Sequence, residues 1–514
     1  MSQYLLAAEA DQIQDLLFRS SRLREVVGGS QLLTRFCTDA APLLLRGQQA
    51  DVVVADGGAF RILFDDPCRA VAFGAHLAEL YRRCTGGRLT VAKPVLADDF
   101  RVGSEAAQRE LREAKQRGDA PDAVLHLPYA AFCASCGIEL ATTHRRRHGD
   151  ERPNYECAAC YRKEQSRDEQ RGVFLAAFQD AYAAARGEVA ESIQLPHDAD
   201  EVAACDPRRY VAYLVADGNG MGVLFSQCNR VQMEDLSKSL TATLRESLAH
   251  ASQTLPKRLA ERRRENEAES LPVLPLLLGG DDCFALMPAP WAVDFARRFC
   301  TEFEQRLGNH LADIGLSLGD AGPTISAAVV VCKSKYPYAL AYRRAHELLR
   351  QAKRFARQHA VSALSFELVT GNDIPNRVES ACAFRPTLGA YSCRQASDSV
   401  SLEVLTAQRL ALASLPGKRR TELEGHFNDI PEDGANVADW EEQLSWILRR
   451  IGRNPGQREA VDAALKALGD GSSTAPAYWR QVELWQGHGL PDLLQMWDFA
   501  FDLERERTDY LREA

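Results

Sequence analysis

Three acidic residues carry the strongest chemical signal in this 514-residue chain. Asp217 ends the apolar run Tyr210–Ala216 (YVAYLVA), which reads as a buried strand. Gly218-Asn219-Gly220-Met221 follows, and its glycines impose a turn. Asp281 and Asp282 close the run Gly279-Gly280-Asp281-Asp282, a tight turn between the apolar stretches Pro272–Leu278 and Cys283–Met287. Carboxylates in such a set suit Mg²⁺ or Mn²⁺, which take oxygen ligands from one or two carboxylates and from substrate phosphates. Two such ions, roughly 4 Å apart, activate an attacking hydroxyl and neutralise a leaving pyrophosphate. Gly279 and Gly280 let the backbone and a nucleotide base approach closely. A plain surface turn is the alternative for Gly and Asp together. Asp217 and the strand order described below favour nucleotidyl transfer.

Ser326 and Lys353 are further candidates. Ser326 lies on the β-branched run Thr324–Cys332, and Lys353 on the next helix, where an ammonium meets a triphosphate or simply solvent. Lys335-Tyr336-Pro337 is a third candidate for positioning a nucleotide.

Four of the 14 cysteines form two pairs, Cys133-Ala-Ser-Cys136 and Cys157-Ala-Ala-Cys160, with 20 residues between them. Paired knuckles of this spacing predict a closed four-thiolate zinc site. A closed shell has no open coordination position, so its role is structural. Between the pairs runs His144-Arg145-Arg146-Arg147-His148, open to RNA, to a partner, or to solvent alone. His197-Asp198 has no second His/Asp cluster nearby and reads as a loop, and Arg262-Arg263-Arg264 as a solvated helix face.

The elements that position the acids have a recognisable order. A strand ending at Asp217, a helix over Val231–Ser252, a hairpin at the Gly-Gly turn, a helix over Trp291–Leu307 and the strand Thr324–Cys332 give β-α-β-β-α-β. A helix with Ala341, Ala345, Leu348, Ala352 and Phe355 on one face follows, then a strand over Ser362–Val369. Pro275 objects mildly to a central strand. The N-terminus repeats this order: strands at Tyr4–Ala8, Asp51–Ala55, Phe60–Phe64 and Leu89–Val95, helices over Ser20–Leu45 and Ala70–Tyr81. Its turn, Gly57-Gly58-Ala59-Phe60, lacks the carboxylates. A helix near Phe174–Ala185 precedes a linker over Gly187–Pro207. Ser397–Ser414, Asp439–Ile451, Arg458–Leu468 and Leu490–Leu511 read as helices, and Trp440, Trp446, Trp479, Trp485 and Trp497 gather there. The expected fold is α+β: two ferredoxin-like palms, 1–100 (degenerate) and 205–378 (catalytic), a zinc-binding helical insert at 101–190, and a helical domain at 379–514.

Composition is that of a folded soluble protein, 46% hydrophobic and 26% charged. No apolar run approaches the ~20 residues that cross a bilayer. The N-terminus has no signal-peptide pattern, so a cytoplasmic location is expected. A net charge of −9 confines nucleic-acid contact to local patches or partner subunits.

Taken together these residues resemble the large polymerase/cyclase subunit of type III CRISPR effector complexes. The resemblance rests on Ile13-Gln14-Asp15, Leu23-Arg24-Glu25, Gly28-Gly29-Ser30, Gly57-Gly58, Asp217–Met221, Gly279–Asp282, Ser326 and Ala352-Lys353. It implies synthesis of cyclic oligoadenylates from ATP through 3′–5′ bonds when a guide RNA in the complex holds target RNA. Asp217, Asp281 and Asp282 would hold the metals. Gly218, Asn219, Gly220, Met221, Gly279, Gly280, Ser326 and Lys353 would surround the nucleotide. Gly28, Ser30, Gly57 and Gly58 would hold a second ATP between the palms. The first palm begins within ten residues of Met1, so the HD nuclease of many members, and its DNA cleavage, are expected to be absent. A scaffold with an inactive palm and a stand-alone cyclic-nucleotide synthase with a GGDEF-like turn are the rival readings.

Overall fold

The computed structural model describes residues 2–505, except 21, 118–129, 147–151, 169–172, 191–192, 256–268, 320–321, 372–382, 397–398, 432–435 and 483–484. Arg262-Arg263-Arg264 therefore lies outside the described residues.

The first sheet is built from β1 (Tyr4–Asp11), β2 (Ala50–Asp56), β3 (Ala59–Phe64) and β4 (Arg88–Val91), in the order β2-β3-β1-β4. Helices α1 (Ile13–Phe18) and α2 (Leu23–Arg35) follow β1, and α3 (Pro67–Thr85) follows β3. Apolar side chains alternate along the strands, so both faces are buried. Leu6, Ala8, Phe60, Ile62 and Phe64 pack toward Phe73, Leu77 and Tyr81 of α3. Leu5, Ala7 and Leu63 meet Ala107 and Leu111 of α4 (Phe100–Arg117). This helix, grouped with the cysteine insert in the sequence reading, thus covers the open face of the first sheet.

The cysteine element contributes the hairpin β5 (Thr143–Arg145) and β6 (Asn154–Glu156), then α5 (Ala158–Asp168). Helix α6 (Val173–Arg186) leads away from it. The segment 187–207, expected to be a linker, holds the short strand Ile193–Gln194 and the helix Ala199–Ala203.

The second sheet contains β7 (Tyr210–Asn219), β8 (Leu274–Gly279), β9 (Asp282–Pro288), β10 (Thr324–Lys333) and β11 (Ala363–Leu368). Helices α7 (Met221–Gln227), α8 (Arg230–Gln253), α9 (Ala292–Asp313) and α10 (Tyr338–His359) connect them. The strand order β8-β9-β7-β10 repeats that of the first sheet, with β11 added parallel to β10. Pro275 is tolerated because β8 is the edge strand and its register slips between Pro275 and Leu277. The central strand alternates cleanly. Ala212, Leu214 and Ala216 enter the core shared with α8 and α9, while Val211, Tyr213 and Val215 enter the core shared with α10. Phe18 of α1 joins this second core, its ring 5.0 Å from that of Phe284. The two palms therefore share a core.

Four longer helices, α11 (Leu402–Ala411), α12 (Gly417–Asn428), α13 (Val437–Ile451) and α14 (Pro455–Leu468), dominate the C-terminal region. The expected helix over Leu490–Leu511 stops at Gln495, and α12 and a three-stranded sheet (Phe384–Arg385, Trp485–Gly487, Arg480–Val482) were not foreseen. Trp440 and Trp479 pack together 5.3 Å apart, but Trp446 is exposed, outside that cluster. No helix among the described residues is long and apolar enough to cross a membrane.

Candidate active site

Asp282, Asp217 and Ser326 stand in one row across β9, β7 and β10, since each is the register partner of the next. The pleat decides which face they use. They continue the parity of Phe284, Val215 and Ala328, all in the core beneath α10. Lys353 descends from α10, and its Nζ lies 2.6 Å from Asp217 Oδ2. The ammonium thus meets a carboxylate directly. Ser326 is fully buried and donates to Asn219 Oδ1 at 2.9 Å, and Asn219 Nδ2 donates to Thr324 at 3.1 Å. These two residues tie the ends of β7 and β10 together. The strand runs on through Asn219, and only Gly220 turns, with φ +73° at the start of α7. Met221 opens that helix.

Asp281 sits in the two-residue turn closed by the pair Gly279–Asp282, and its carbonyl accepts from Gly218 N–H at 3.1 Å. Burial, then the charge of Asp217, pushes the Asp281 carboxyl up to about 6. The same two causes, with Asp281 added, push Asp282 higher still. Carboxylates that crowd one another this way are relieved by a bound cation, and oxygen donors alone suit Mg²⁺ or Mn²⁺.

The first palm repeats the row. Ala59, Glu9 and Thr90 are register partners across β3, β1 and β4, in the places of Asp282, Asp217 and Ser326. Its two-residue turn is closed by Asp56 and Ala59. Asp56-Gly57-Gly58-Ala59 therefore matches Gly279-Gly280-Asp281-Asp282, one residue earlier than the sequence comparison placed it. Glu9, the counterpart of Asp217, is tied to Arg61 at 2.9 Å and Lys115 at 2.7 Å. Burial raises its carboxyl, but the two cations outweigh that and hold it below the usual carboxylate range.

The two turns face each other. A methyl added at Gly57, where φ is +56°, would sit 3.1 Å from the Gly280 nitrogen. Beside this contact opens a cavity of about 840 Å³. Asp281, Asp282, Gly279 and Gly280 line one side, and Glu9, Asp56, Gly57 and Arg61 the other. Arg109 and Arg112 of α4 add positive charge, and Met221, Phe225 and Met233 an apolar wall. Sequence reasoning missed Asp56, Arg109 and Arg112. The first was visible as an acid one step before Gly57, and the arginines as an i, i+3 pair on an amphipathic helix.

Several candidates fall elsewhere. Gly28 is packed against α5, where a side chain would overlap the Lys163 carbonyl, so it serves helix contact rather than an open nucleotide cleft. Ser30 is buried and donates to the Leu276 carbonyl of β8. It borders a small cavity of about 30 Å³ behind the turns, with Gly57, Gly279 and Asp282. Gly58 faces Ile13 and Ala10 inside the first palm. Lys335 lies beyond Lys333, at the end of β10 remote from Ser326, and pairs with Asp200. His197-Asp198 is a loop that caps the helix Ala199–Ala203.

Cys133, Cys136, Cys157 and Cys160 gather with all Sγ atoms within 4.8 Å of one another. A tetrahedral ion with sulfur ligands at ~2.3 Å separates the sulfurs by roughly 3.8 Å, so the donor set fits. Ser135 of the first knuckle donates to buried Glu25 of α2, and buried Lys163 of α5 donates to the Leu16 carbonyl of α1. The element is thereby bolted to the first palm. Arg145 pairs with Glu156 and Glu164 and lies over the Tyr161 ring, and His144 stacks on Tyr155. These two hold the element together, while Arg147 and His148 are outside the described residues.

Residues 210–362 match the family model described as Cas10/Cmr2, second palm domain. That stretch is similar to the second palm of Cas10/Cmr2. The fold of the chain matches Csm1 in T. onnurineus, with a TM-score of 0.54 and 14% identity over 97% of this chain and 69% of that one. It also matches a Csm1–Csm4 cassette in complex with cA4 (TM-score 0.53, 13% identity, 98% and 70% covered). A cassette with one ATP gives a TM-score of 0.51 at 14% identity, with 98% and 70% covered. No curated protein matches the sequence. The fold likeness to these structures takes in the N-terminal and C-terminal regions as well as the matched palm.

Proposed function

We propose that this chain is a metal-dependent nucleotidyltransferase that joins ATP into cyclic oligoadenylates through 3′–5′ bonds, within a cytoplasmic RNA-guided type III CRISPR effector. The observation that carries the reading is the row Asp282–Asp217 with Asp281 beside it, opening on a cavity large enough for nucleotides. Mg²⁺ or Mn²⁺ at these carboxylates would lower the pKa of the attacking hydroxyl and neutralise the leaving pyrophosphate. Asp217, Asp281 and Asp282 hold the cation site. Lys353 neutralises Asp217 until a cation arrives. Gly280 and Gly57 leave the approach between the turns free of side chains. Met221 and Phe225 offer an apolar surface to a base, and Arg109 and Arg112 face the polyphosphate side of the cavity. Zn²⁺ at the four cysteines stabilises the first palm.

The matched Csm1–Csm4 cassettes with cA4 and with one ATP support adenine nucleotides as substrate and a further subunit of the complex as partner. Guide RNA and target RNA are the other partners this reading requires. The test supplies labelled ATP or GTP and Mg²⁺ or Mn²⁺ to the chain alone and to its reconstituted complex with target RNA. Cyclic adenylates from the complex are the expected product. A complex that yields none while still binding target RNA is a scaffold. A GTP product from the chain alone makes it a stand-alone synthase instead.

A further inference from the structure

The catalytic turn is held by a chain of two hydrogen bonds that ends on the first palm. Thr241 of α8 stands between the two turns. Its Oγ1 accepts from the Gly280 N–H at 2.9 Å and donates to the Asp56 carboxylate. A hydroxyl has one proton, so the carboxylate fixes where that proton points and leaves a lone pair for Gly280. The acceptor is itself placed by the fold, because Asp56 closes the two-residue turn of the first palm as the register partner of Ala59. Strand β2 and helix α8 run together over this stretch. Asp51 pairs with Arg230 at 2.9 Å near one end, and Asp56 with Thr241 at the other. Five strand steps at ~3.3 Å and eleven helix steps at ~1.5 Å both span about 17 Å, so the two elements stay in register. Gly280 has φ +59° and precedes Asp281 directly, so its peptide plane sets where the Asp281 and Asp282 carboxylates begin.

We propose that Asp56 and Thr241 are positioning residues for the catalytic turn: the first palm, through Asp56 and the Thr241 hydroxyl, fixes the Gly280 peptide and with it the cation-binding geometry of Asp281 and Asp282. This rests on the proposed function for the cation site, and extends it by giving the first palm a part in that site.

The test uses the full chain with Mn²⁺ and ATP as probes. Mn²⁺ affinity is read by electron paramagnetic resonance, and amide exchange of the turn by mass spectrometry. Groups that orient metal ligands are typically worth about 10–100-fold in metal affinity. Thr241→Val and Asp56→Ala are each expected to weaken Mn²⁺ by that factor and to speed exchange at the turn, at unchanged Tm. Thr241→Ser and Asp56→Asn, which keep the hydroxyl and the acceptor, restore both readouts. The double variant Asp56→Ala/Thr241→Val is no weaker than either single one. Wild-type Mn²⁺ affinity in Thr241→Val, or a serine variant no better than valine, overturns the proposal. So does a double variant whose losses add. If the wild-type chain binds no Mn²⁺ but Thr241→Val still speeds exchange at the turn, the metal reading fails and the hold of Asp56 on Gly280 stands.

Discussion

The two palms place equivalent rows of three residues at equivalent positions of two separate sheets, and only one row keeps an excess of negative charge. In the second palm the row reads Asp282–Asp217–Ser326, with Asp281 alongside; in the first it reads Ala59–Glu9–Thr90. Both have a central acid. Glu9 is held by two cations, Arg61 and Lys115, and has no neighbouring carboxylate in its row. Asp217 is held by one, Lys353, and has two carboxylates crowding it. Backbone topology is therefore insufficient for a cation site. What matters is whether negative charge is in excess after the protein's own cations are counted.

The sharpest way to break that comparison is to remove acids from each side. Asp281→Ala or Asp282→Ala should reduce product formation on the order of 10³-fold, since metal stabilisation of a transition state is worth several kcal/mol. Glu9→Gln should leave turnover within a few-fold of wild type. Equal losses on the two sides would mean that both palms are catalytic.

Among the described residues the cysteine element is hydrogen-bonded to the first palm's helices through Ser135 and Lys163, so its loss should be felt there first. Cys157→Ser, or a strong chelator, should lower Tm and speed amide exchange in α1 and α2 before β7 and β10. A structural four-thiolate ion contributes several kcal/mol to folding, so the shift should be large. Uniform loosening of both sheets would contradict this.

Glycine substitutions probe the contact between the turns. Gly57→Ala and Gly47→Ala each force a side chain into the left-handed region, at a cost of about 1–2 kcal/mol. Only Gly57 faces Gly280, whereas a methyl at Gly47 meets open space. Denaturant melts should show similar losses for both, and product assays a loss for Gly57→Ala alone.

The smallest expected effects are in pH dependence, and they have opposite signs. Asp281 and Asp282 have folded-state pKa values above the unfolded one, so without metal their contribution to stability declines as pH rises from about 4 to about 8. The gain in Tm on adding Mn²⁺ should grow over the same window, and Asp282→Asn should flatten it. Glu9 is depressed, so its contribution is present above the ordinary glutamate value and lost as pH falls below it, through the lower folded-state value. Glu9→Gln should flatten the acid side only.

Much of this was legible in the sequence because period-two apolar runs and Gly-Gly turns are local signals. The strand order, Asp217, Asp281 and Asp282 and the two cysteine pairs all announce themselves within a few residues. Asp56 and Thr241 do not, because their meaning lies in a contact between residues 185 positions apart. The one-residue offset between the turns was invisible for a related reason: strand register sets it, and the visible Gly-Gly pair misaligned it. Gly28 shows the same limit, since a glycine needed for close helix packing looks like one needed for a ligand. The C-terminal three-stranded sheet was hidden because its strands are two or three residues long.

Strand β8 is the outer strand of the second sheet, and an outer strand offers unpaired backbone groups to any other chain. Here Ser30 of α2 quenches the Leu276 carbonyl on that strand, and the slip at Pro275 spoils its regularity. An excised second palm would lose that cover and present Leu274–Gly279 as a sticky edge. The palms are thus poor candidates for recombination as separate modules: each exchange would have to carry the helix that keeps its neighbour from aggregating.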